Sequence, residues 1–298
     1  MNRHPLKEWA IAVRPWSFPA SAMPVVVTSC YLLWTETEIH VGYCLWALVS
    51  ILLFHAAGNT WSDYFDYRRG IDCTESSSAK SLVNKIFQPR EILILSLFLL
   101  TAAALSGIGL LLFTQPSLLW IGLGGICCTL AYPFFKYHAA GDFVIFVAYA
   151  LLPALGTSLI ATGAFHYSVL WTIALPVGLI TVAILHINNL RDQDNDRQAQ
   201  ISTLPIRLGT RLSAIIYRVE LILPLLWIVL CVAVGQLPPA SLSVLLVIPA
   251  TWGNLRTLQR YLQGDSTCIL HLDERTAQLQ LLFSGILSIA FVLTHLLT

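Results

Sequence analysis

The sequence predicts an all-α membrane protein with about nine transmembrane helices. Three observations lead to this fold class: an apolar composition, a series of long apolar segments and a one-sided distribution of basic residues. Of 298 residues, 56% are hydrophobic and only 11% are charged, whereas soluble domains contain about 25% charged residues. Because a soluble protein with so little charge could not cover its surface, the lipid bilayer is the expected solvent.

Nine segments are long and apolar enough to cross a bilayer. Each has about 18–24 residues, which at about 1.5 Å per residue matches a hydrocarbon core about 30 Å thick. They are predicted near 16–34, 40–60, 91–113, 117–136, 143–163, 167–189, 212–235, 239–257 and 277–297. Prolines inside these segments, among them Pro24, Pro153, Pro176 and Pro224, predict kinks rather than breaks because neighbouring groups can satisfy the freed carbonyl.

The basic residues predict how the chain is oriented. All 17 lysines and arginines lie in the N-terminal segment or in and beside the even-numbered connections. By the positive-inside rule, the N-terminus is then cytoplasmic and the C-terminus outside, which requires an odd number of spans. The two long polar connections, near 61–90 and 190–211, are both predicted on the cytoplasmic side of one polytopic domain covering 1–298.

Composition also argues against other classes of protein. A net charge of +1 gives no reason to expect nucleic acid as a partner. The seven cysteines form no CxxC pair and lie mostly in apolar runs, so neither a disulfide framework nor a zinc site is expected from their spacing. The first residues are too polar for a cleaved signal peptide, and the first apolar segment is expected to stay in the membrane.

The first group of residues with evident chemistry lies at the cytoplasmic end of the second predicted span. Asn59, Asp63 and Asp66 are spaced i, i+4 and i+7, so a continuing helix would place them on one face. Carboxylates packed this closely repel one another unless a cation lies between them. Mg²⁺ prefers a few carboxylate oxygens together with substrate phosphates and water. This group therefore predicts a magnesium-binding helix end.

A second group follows the sixth predicted span. Asn188, Asp192 and Asp196 are spaced i, i+4 and i+8, again on one face of a continuing helix. The two groups occupy matching positions in their loops, which predicts two similar halves whose metal ions could clamp one diphosphate. Basic side chains of the types that hold phosphate oxygens accompany both groups. They are Arg14, Arg68, Arg69, Lys80, Lys136, Arg191, Arg197 and Arg207.

Each group also has a purely structural interpretation. Charged loops are common in membrane proteins, and neighbouring Arg and Asp residues often form solvated pairs that contribute little. Two amide-flanked aspartate clusters on the same side of the membrane favour metal binding instead. His55 and His186, near the ends of apolar segments, are predicted to be packed or hydrogen-bonded rather than catalytic.

Four stretches of the sequence resemble known motifs. Arg14 opens a stretch similar to RPxTLPA, and the first cluster, with Gly70 and Asp72, is in step with NxxNDYxDxxxGxD. Tyr132, Lys136 and the following Gly-Asp pair resemble a tyrosine–lysine–GD motif, and the second cluster resembles NNxRDxxxDxxxGKxTLxxRLG. On these motifs the chain resembles the UbiA superfamily of intramembrane aromatic prenyltransferases. Within it, the strongest resemblance is to the 1,4-dihydroxy-2-naphthoate polyprenyltransferases of menaquinone synthesis.

Three residues depart from the family motifs. Ser62 stands where an Asn usually precedes the first Asp, so one amide group is missing. Gln200 and Ile201 stand where Gly-Lys usually follows the second cluster, which removes a cation from the place where diphosphate would lie. These departures concern substrate preference and activity rather than the fold. They leave open the alternative that the chain keeps this fold and binds ligands but has lost turnover.

The resemblance implies nine helices around a central cavity that the two clusters cap. It implies Mg²⁺, as two ions and with Mn²⁺ as an alternative, bound by Asp63, Asp66, Asp192 and Asp196. Supporting groups are Asn59, Asp72, Asn188 and Asn189, and the implied diphosphate-binding residues are Arg14, Tyr132, Lys136, Arg191 and Arg207.

The implied reaction is transfer of a polyprenyl group from an allylic polyprenyl diphosphate to an aromatic acceptor. For 1,4-dihydroxy-2-naphthoate the prenyl chain replaces the carboxylate, at the cytoplasmic side of the inner (plasma) membrane. Other superfamily members use acceptors such as 4-hydroxybenzoate or homogentisate, so the acceptor stays open. A polytopic transporter is the alternative from another class, but its coupling charges would lie near the bilayer midplane rather than at helix ends.

Overall fold

The computed structural model describes residues 4–71 and 81–298, and within these residues the chain is helical and contains no strand. Its helices are α1 (Leu6–Val13), α2 (Pro19–Thr35), α3 (Val41–Arg68), α4 (Pro89–Phe113), α5 (Leu118–Lys136), α6 (Gly141–Phe146), α7 (Leu152–Thr162), α8 (Leu175–Arg191), α9 (Gln193–Gln198), α10 (Leu204–Leu208), α11 (Thr210–Ala233), α12 (Ile248–Leu262) and α13 (Leu272–Leu297). The all-α prediction is confirmed.

The described residues contain seven helices long and apolar enough to cross a membrane, and one bent pair would make an eighth. In that pair Leu6–Ser17 meets Pro19–Thr35 at 53°. The predicted span near 239–257 is divided between a 3₁₀ helix, Pro239–Val247, and α12, neither of which reaches 18 residues. The count of nine spans therefore stays a prediction.

Two short π-helical segments explain how the chain accommodates prolines. The segment Val147–Leu151 joins α6 to α7 just before Pro153, and Leu170–Ala174 leads into α8 just before Pro176. The wider turn tolerates the missing N–H of the proline without ending the helix. Pro24 and Pro224 lie inside α2 and α11. None of the four prolines ends its span, and the predicted kinks stay a prediction.

Burial divides the helices between the core and the periphery. Two thirds of the apolar window in Leu170–Arg191 is buried, against 11% in α5. Helix α8 packs against α6, α11 and α13 in the largest apolar core. Large apolar side chains on the outer helices are exposed, as expected where lipid is the solvent. Examples are Phe98, Leu105, Leu112 and Trp120.

The connections between the helices lie at two opposite ends of the bundle. The first and fifth connections meet, since His166 Nδ1 lies 3.2 Å from Glu36 Oε1 and the N–H of His40 donates to the carbonyl of Ala161. These are connections predicted to lie outside the cell. The C-terminal ends of α3, α5 and α8 and the start of α13 meet at the other end, where the aspartate clusters lie.

Candidate active site

The first aspartate cluster lies on the last turns of α3. This helix continues unbroken to Arg68, so Asn59, Asp63 and Asp66 share one helix as predicted. Asp63 and Asp66 are buried, with 9% and 6% of their surfaces exposed. Two carboxylates are therefore held out of water at a helix end, where the chain must supply cations or hydrogen-bond donors.

Basic and hydroxyl groups surround these carboxylates. A guanidinium nitrogen of Arg14 donates to Asp63. Lys136 Nζ donates to Asp66 Oδ2 across 2.8 Å, and the hydroxyl of Tyr137 donates to Asp66 Oδ1 across 2.7 Å. Ser62, in place of the family Asn, turns its hydroxyl towards Asp66 Oδ2 at 3.4 Å. The first cluster is thus neutralised by residues from the N-terminal segment and from the end of α5.

The Asn59 side chain is hydrogen-bonded to the N-terminal segment. Its amide nitrogen donates to the carbonyl of Val13 at 2.9 Å and to Ser17 Oγ at 3.1 Å. These bonds fasten the segment that carries Arg14, whose backbone has a left-handed φ of 55°. The amide therefore positions Arg14 over Asp63, and it also lines the cavity described below.

The second cluster departs from the predicted continuous helix. Helix α8 ends at Arg191 and α9 begins at Gln193, with Asp192 between them. The i to i+4 spacing survives, because the N–H of Asp192 donates to Asn188 and the N–H of Asp196 donates to Asp192, each at 3.0 Å. The helix is therefore interrupted at Asp192, but Asn188, Asp192 and Asp196 remain one turn apart.

Arg191 links this cluster to a residue that the sequence analysis missed. Its Nε and Nη2 donate to the two oxygens of Asp192 at 2.8 and 3.0 Å, and its Nη1 donates to Asp273 Oδ2 at 2.6 Å. Asn188 Nδ2 approaches the same oxygen at 3.3 Å. Asp273 lies in the first turn of α13. An acidic first turn is a general feature of helices, so its spacing alone gave no sign of a role here.

Electrostatics shows that the two clusters face each other. Burial raises the pKa of Asp196 to about 6, and the positive charge of Lys136 partly opposes this. The nearby carboxylates of Asp192 and Asp66 raise the pKa of Asp196 further, while the hydroxyl of Thr203 lowers it. A carboxylate from each cluster therefore lies within electrostatic reach of the same lysine.

The two motifs end in the same backbone arrangement. Gly70 and Gln200 both have left-handed φ values, 67° and 57°. The following N–H groups, of Ile71 and Ile201, donate to the carbonyls of Asp66 and Asp196, at 3.0 and 3.1 Å. These three pairs of positions are separated by the same number of residues, which supports the prediction of two similar halves. The shared pattern is a helix C-cap that favours glycine at the left-handed position.

Ile201, which stands where the family motif has a lysine, is part of an apolar contact. Ile201 is 6% exposed and packs with Ile71 and Tyr137 in a small apolar cluster. The ends of the two motifs are therefore joined by apolar contact around the tyrosine whose hydroxyl bonds Asp66. The cation that the family motif would supply at this position is replaced by packing between the halves.

A cavity of about 440 Å³ lies beside the clusters. Seven of the residues predicted for the site line it: Arg14, Asn59, Asp66, Tyr132, Lys136, Asn188 and Arg191. Glu274, which the sequence analysis did not single out, also lines it with Asp273. A second cavity of about 260 Å³, with almost wholly apolar walls, shares Thr129, Ala148 and Tyr149 with the first. A polar chamber thus adjoins an apolar one.

The remaining predicted residues lie around the chamber or away from it. Asp63, Asp192 and Asp196 do not line it, but Asp63 and Asp192 are bonded to Arg14 and Arg191, which do. Asn189 is buried beside them without lining the chamber. Arg207 is exposed and its Nε donates to Ser202 Oγ at 3.2 Å, so the geometry does not bring it to the chamber. Asp72 lies outside the described residues.

Both singled-out histidines are buried and hydrogen-bonded, as predicted. Ser17 Oγ donates to a carbonyl and receives the amide of Asn59, so it is also the acceptor for His55 Nε2 at 3.1 Å. His55 Nδ1 lies 2.7 Å from Ser21 Oγ, which is also 3.3 Å from the carbonyl oxygen of Phe18. An imidazole with both nitrogens engaged joins α2 to α3 in the chamber wall. The ring of Tyr149 packs against it, with centroids 4.5 Å apart and ring planes inclined by 31°.

These features define a polytopic α-helical membrane protein whose two acidic motifs meet at one cavity. The sequence matches the model of the UbiA prenyltransferase family over residues 21–271, and the chain belongs to this family. It is a prenyltransferase, as predicted from its motifs, and the transporter alternative loses its support.

Relatives of this chain occur in animals. It is 33% identical over 281 residues to the UbiA prenyltransferase domain-containing protein 1 of Danio rerio, covering 92% of this chain and 80% of the relative. The proteins of that name from Gallus gallus and Homo sapiens are 32% and 31% identical, with 81% and 84% of their lengths covered. The names specify no acceptor, so the narrower resemblance to dihydroxynaphthoate polyprenyltransferases stays a prediction.

Solved structures share the fold. The apo structure of a UbiA homolog from Aeropyrum pernix K1 aligns with a TM-score of 0.68 at 16% identity, over 94% of this chain and 98% of that one. A UbiA homolog from Archaeoglobus fulgidus bound to GPP and Mg²⁺ aligns with a TM-score of 0.66 at 14% identity, over 95% and 99%. At these identities the likeness concerns the fold.

Proposed function

We propose that this protein transfers a polyprenyl group from an allylic polyprenyl diphosphate to an aromatic acceptor within the membrane. The observation that carries the proposal is the meeting of the two aspartate motifs around Lys136, beside a polar chamber that adjoins an apolar one. The polar chamber suits a diphosphate and the apolar chamber suits an isoprenoid chain. The structure bound to GPP and Mg²⁺ supports a prenyl diphosphate as donor by analogy of fold.

The donor set fits Mg²⁺. Asp63, Asp66, Asp192 and Asp196 offer hard carboxylate oxygens, and Asp196 has its pKa raised partly by its acidic neighbours, which a bound cation would relieve. We infer that these four carboxylates hold two ions, for which Mn²⁺ is an equivalent occupant. Asn59, Asp72, Asn188 and Asn189 are the proposed supporting residues. Bound Mg²⁺ would neutralise charge on the departing diphosphate.

Basic side chains are the proposed partners of the diphosphate oxygens that the metal ions leave free. Arg14, Lys136 and Arg191 line the chamber while bonded to carboxylates, and Tyr132 lies in the same wall. Donors fixed before the reaction stabilise charge that develops on the leaving group. The C–O bond then breaks with its electron pair on the diphosphate, and the acceptor ring attacks the resulting allylic cation. The buried walls protect that cation from water.

The apolar chamber supports the choice of an isoprenoid donor. Its walls come from α3, α4, α5 and α7 and include Ile51, Phe54 and Leu152. Its junction with the polar chamber is formed by Thr129, Ala148 and Tyr149. A prenyl chain with its diphosphate in the polar chamber would therefore bury its tail without leaving the bilayer.

The proposed acceptor is 1,4-dihydroxy-2-naphthoate, with loss of its carboxylate as the prenyl chain takes its place, in menaquinone synthesis. Motif resemblance supports this choice, and the rings of Tyr149 and His55 supply an aromatic wall in the chamber. The alternatives are 4-hydroxybenzoate and homogentisate. The proposed setting is the inner (plasma) membrane with the chamber facing the cytoplasm, supported by the one-sided basic residues.

The test is a reaction with purified protein in detergent. It contains Mg²⁺, a radiolabelled polyprenyl diphosphate and one acceptor at a time, with EDTA as the control. A prenylated, decarboxylated naphthoquinol that disappears with EDTA would support donor, metal and acceptor together. Product with 4-hydroxybenzoate or homogentisate alone would keep the transfer and reject the naphthoate. No product with any acceptor, together with no binding of the diphosphate, would overturn the proposal.

A further inference from the structure

A third cluster of ionisable residues, separate from the two aspartate clusters, lies outside the proposed active site. Asp142 at the start of α6, His186 in α8 and Glu220 in α11 have ligand atoms that all lie within 4.8 Å of one another. Their surfaces are only 8%, 0% and 5% exposed. None of the three lines the polar chamber. A diphosphate bound there would therefore leave this cluster untouched.

Hydrogen bonding determines which nitrogen of His186 is available. Nε2 lies 3.2 Å from the backbone carbonyl oxygen of Ser213, which can only accept, so Nε2 carries a hydrogen. Nδ1 faces the two carboxylates, 2.7 Å from Asp142 Oδ2 and 4.0 Å from Glu220 Oε1. A histidine that donates one N–H to a carbonyl and presents the other nitrogen is oriented as metal-binding imidazoles are.

The carboxylates have oxygens that nothing satisfies. Among the described residues, Asp142 Oδ1 and Glu220 Oε2 are buried and have no hydrogen-bond partner. A proton on His186 Nδ1 would satisfy Asp142 Oδ2 but would leave both of these oxygens unpaired. With a neutral imidazole, the cluster carries two negative charges among membrane-spanning helices, which is costly unless they are compensated. One divalent cation would neutralise both charges and use the free oxygens.

We propose that Asp142, His186 and Glu220 bind one divalent transition-metal ion, Zn²⁺ in the first instance, distinct from the Mg²⁺ of the active site. One imidazole nitrogen with two carboxylates suits Zn²⁺, and also Mn²⁺ or Fe²⁺, better than Mg²⁺, which takes oxygen ligands. Because the cluster is enclosed, the ion enters as the chain folds, and its binding energy adds to folding.

A bound ion would connect α6, α8 and α11 next to the polar chamber. Asp142 follows the turn after Lys136, and His186 precedes Asn188 on α8. An ion held by both residues fixes the distance between the end of α5 and the second aspartate motif. Glu220 adds α11 to the same point. This proposal does not depend on the identity of the prenyl acceptor or on turnover.

The experiment measures metal in tag-free protein, expressed with Zn²⁺, Mn²⁺ and Fe²⁺ supplied and washed briefly with EDTA to remove Mg²⁺. Elemental analysis is expected to find about one equivalent of transition metal per chain. The isosteric variants His186→Gln and Glu220→Gln should lose it. The matched control Asp192→Asn, which alters the proposed Mg²⁺ site, should retain it.

Thermal unfolding supplies a second readout. Zn²⁺ added to protein refolded or prepared without metal is expected to raise the Tm of the wild type and not that of Glu220→Gln. Wild-type protein without a stoichiometric transition metal, and without a Tm shift on adding Zn²⁺ or Mn²⁺, would overturn the proposal and indicate that the cluster shares protons. Metal retained by both cluster variants would also overturn it, by placing the ion elsewhere.

Discussion

Lys136 Nζ donates to Asp66 Oδ2 across 2.8 Å and so joins the end of α5 to the first aspartate motif. The same relationship recurs at Arg14 with Asp63 and at Arg191 with Asp192. The side chains proposed to hold diphosphate are therefore bonded to carboxylates proposed to hold Mg²⁺. A bound metal would release these cations, and the diphosphate would offer them new partners.

The first prediction is that metal and diphosphate bind cooperatively. Metal alone must displace Lys136 and leave a buried charge unpaired, whereas diphosphate removes that cost. We expect an unreactive prenyl diphosphate analogue to tighten Mn²⁺ binding about 10–100-fold, within the usual range of about 1–3 kcal/mol for coupling. Titration calorimetry with and without the analogue measures this effect.

The variant Lys136→Met should reduce this coupling, because no lysine then needs a new partner. Arg197→Met is the matched control, since Arg197 pairs with Asp194 at the surface, where the two side chains are 51% and 82% exposed. It should leave the coupling unchanged. Equal Mn²⁺ affinity with and without the analogue in the wild type would contradict the exchange of partners.

The second prediction concerns Asp66. Asp66→Asn keeps the shape but removes the charge that faces Lys136 and the hydroxyl of Tyr137. Prenyl transfer should fall on the order of 100-fold or more, because a proposed metal ligand is lost. Initial rates report the loss, and circular dichroism checks that the protein stays helical. Asp194→Asn, an exposed neighbour of the second motif, is the control and should keep its rate; full activity in Asp66→Asn would exclude the proposed role.

The third prediction is a pH dependence of metal binding. Burial raises the pKa of Asp196 to about 6 in the absence of metal, against about 3.9 for an ordinary aspartate. Below about pH 6 the carboxyl is protonated and cannot serve as a ligand, so Mn²⁺ affinity should fall as the pH drops through this range. In Asp196→Asn the affinity should be low and flat between pH 5 and 7. A wild-type profile that stays flat to pH 5 would show that Asp196 is not a ligand.

The fourth prediction concerns Gln200, the left-handed residue that follows the C-cap of α9. Its backbone φ of 57° is costly for any residue with a Cβ, by about 1 kcal/mol, and glycine adopts it freely. Gln200→Gly is expected to raise the Tm in detergent, although greater freedom of the unfolded chain offsets part of the gain. The comparison variant Gln198→Gly, at the last residue of α9, should lower the Tm. A lower Tm in Gln200→Gly would show that its side chain has a stabilising contact.

The sequence by itself determined the properties that depend on local composition and spacing. Long apolar runs must become helices in a bilayer, because only the helix satisfies every backbone group within one segment. The i, i+4 spacings of Asn59 with Asp63 and of Asn188 with Asp192 are also local. Helix periodicity alone places the members of each pair one turn apart at a helix end. Motif resemblance added the prenyltransferase chemistry.

Only the tertiary structure decided which charges meet. Lys136 with Asp66, Arg191 with Asp273, and His186 with Asp142 are contacts between residues far apart in the chain. No local period encodes such contacts, because they depend on how helices cross. The packing of Ile201, where a lysine was expected, against Ile71 and Tyr137 is likewise a contact that only the tertiary structure shows.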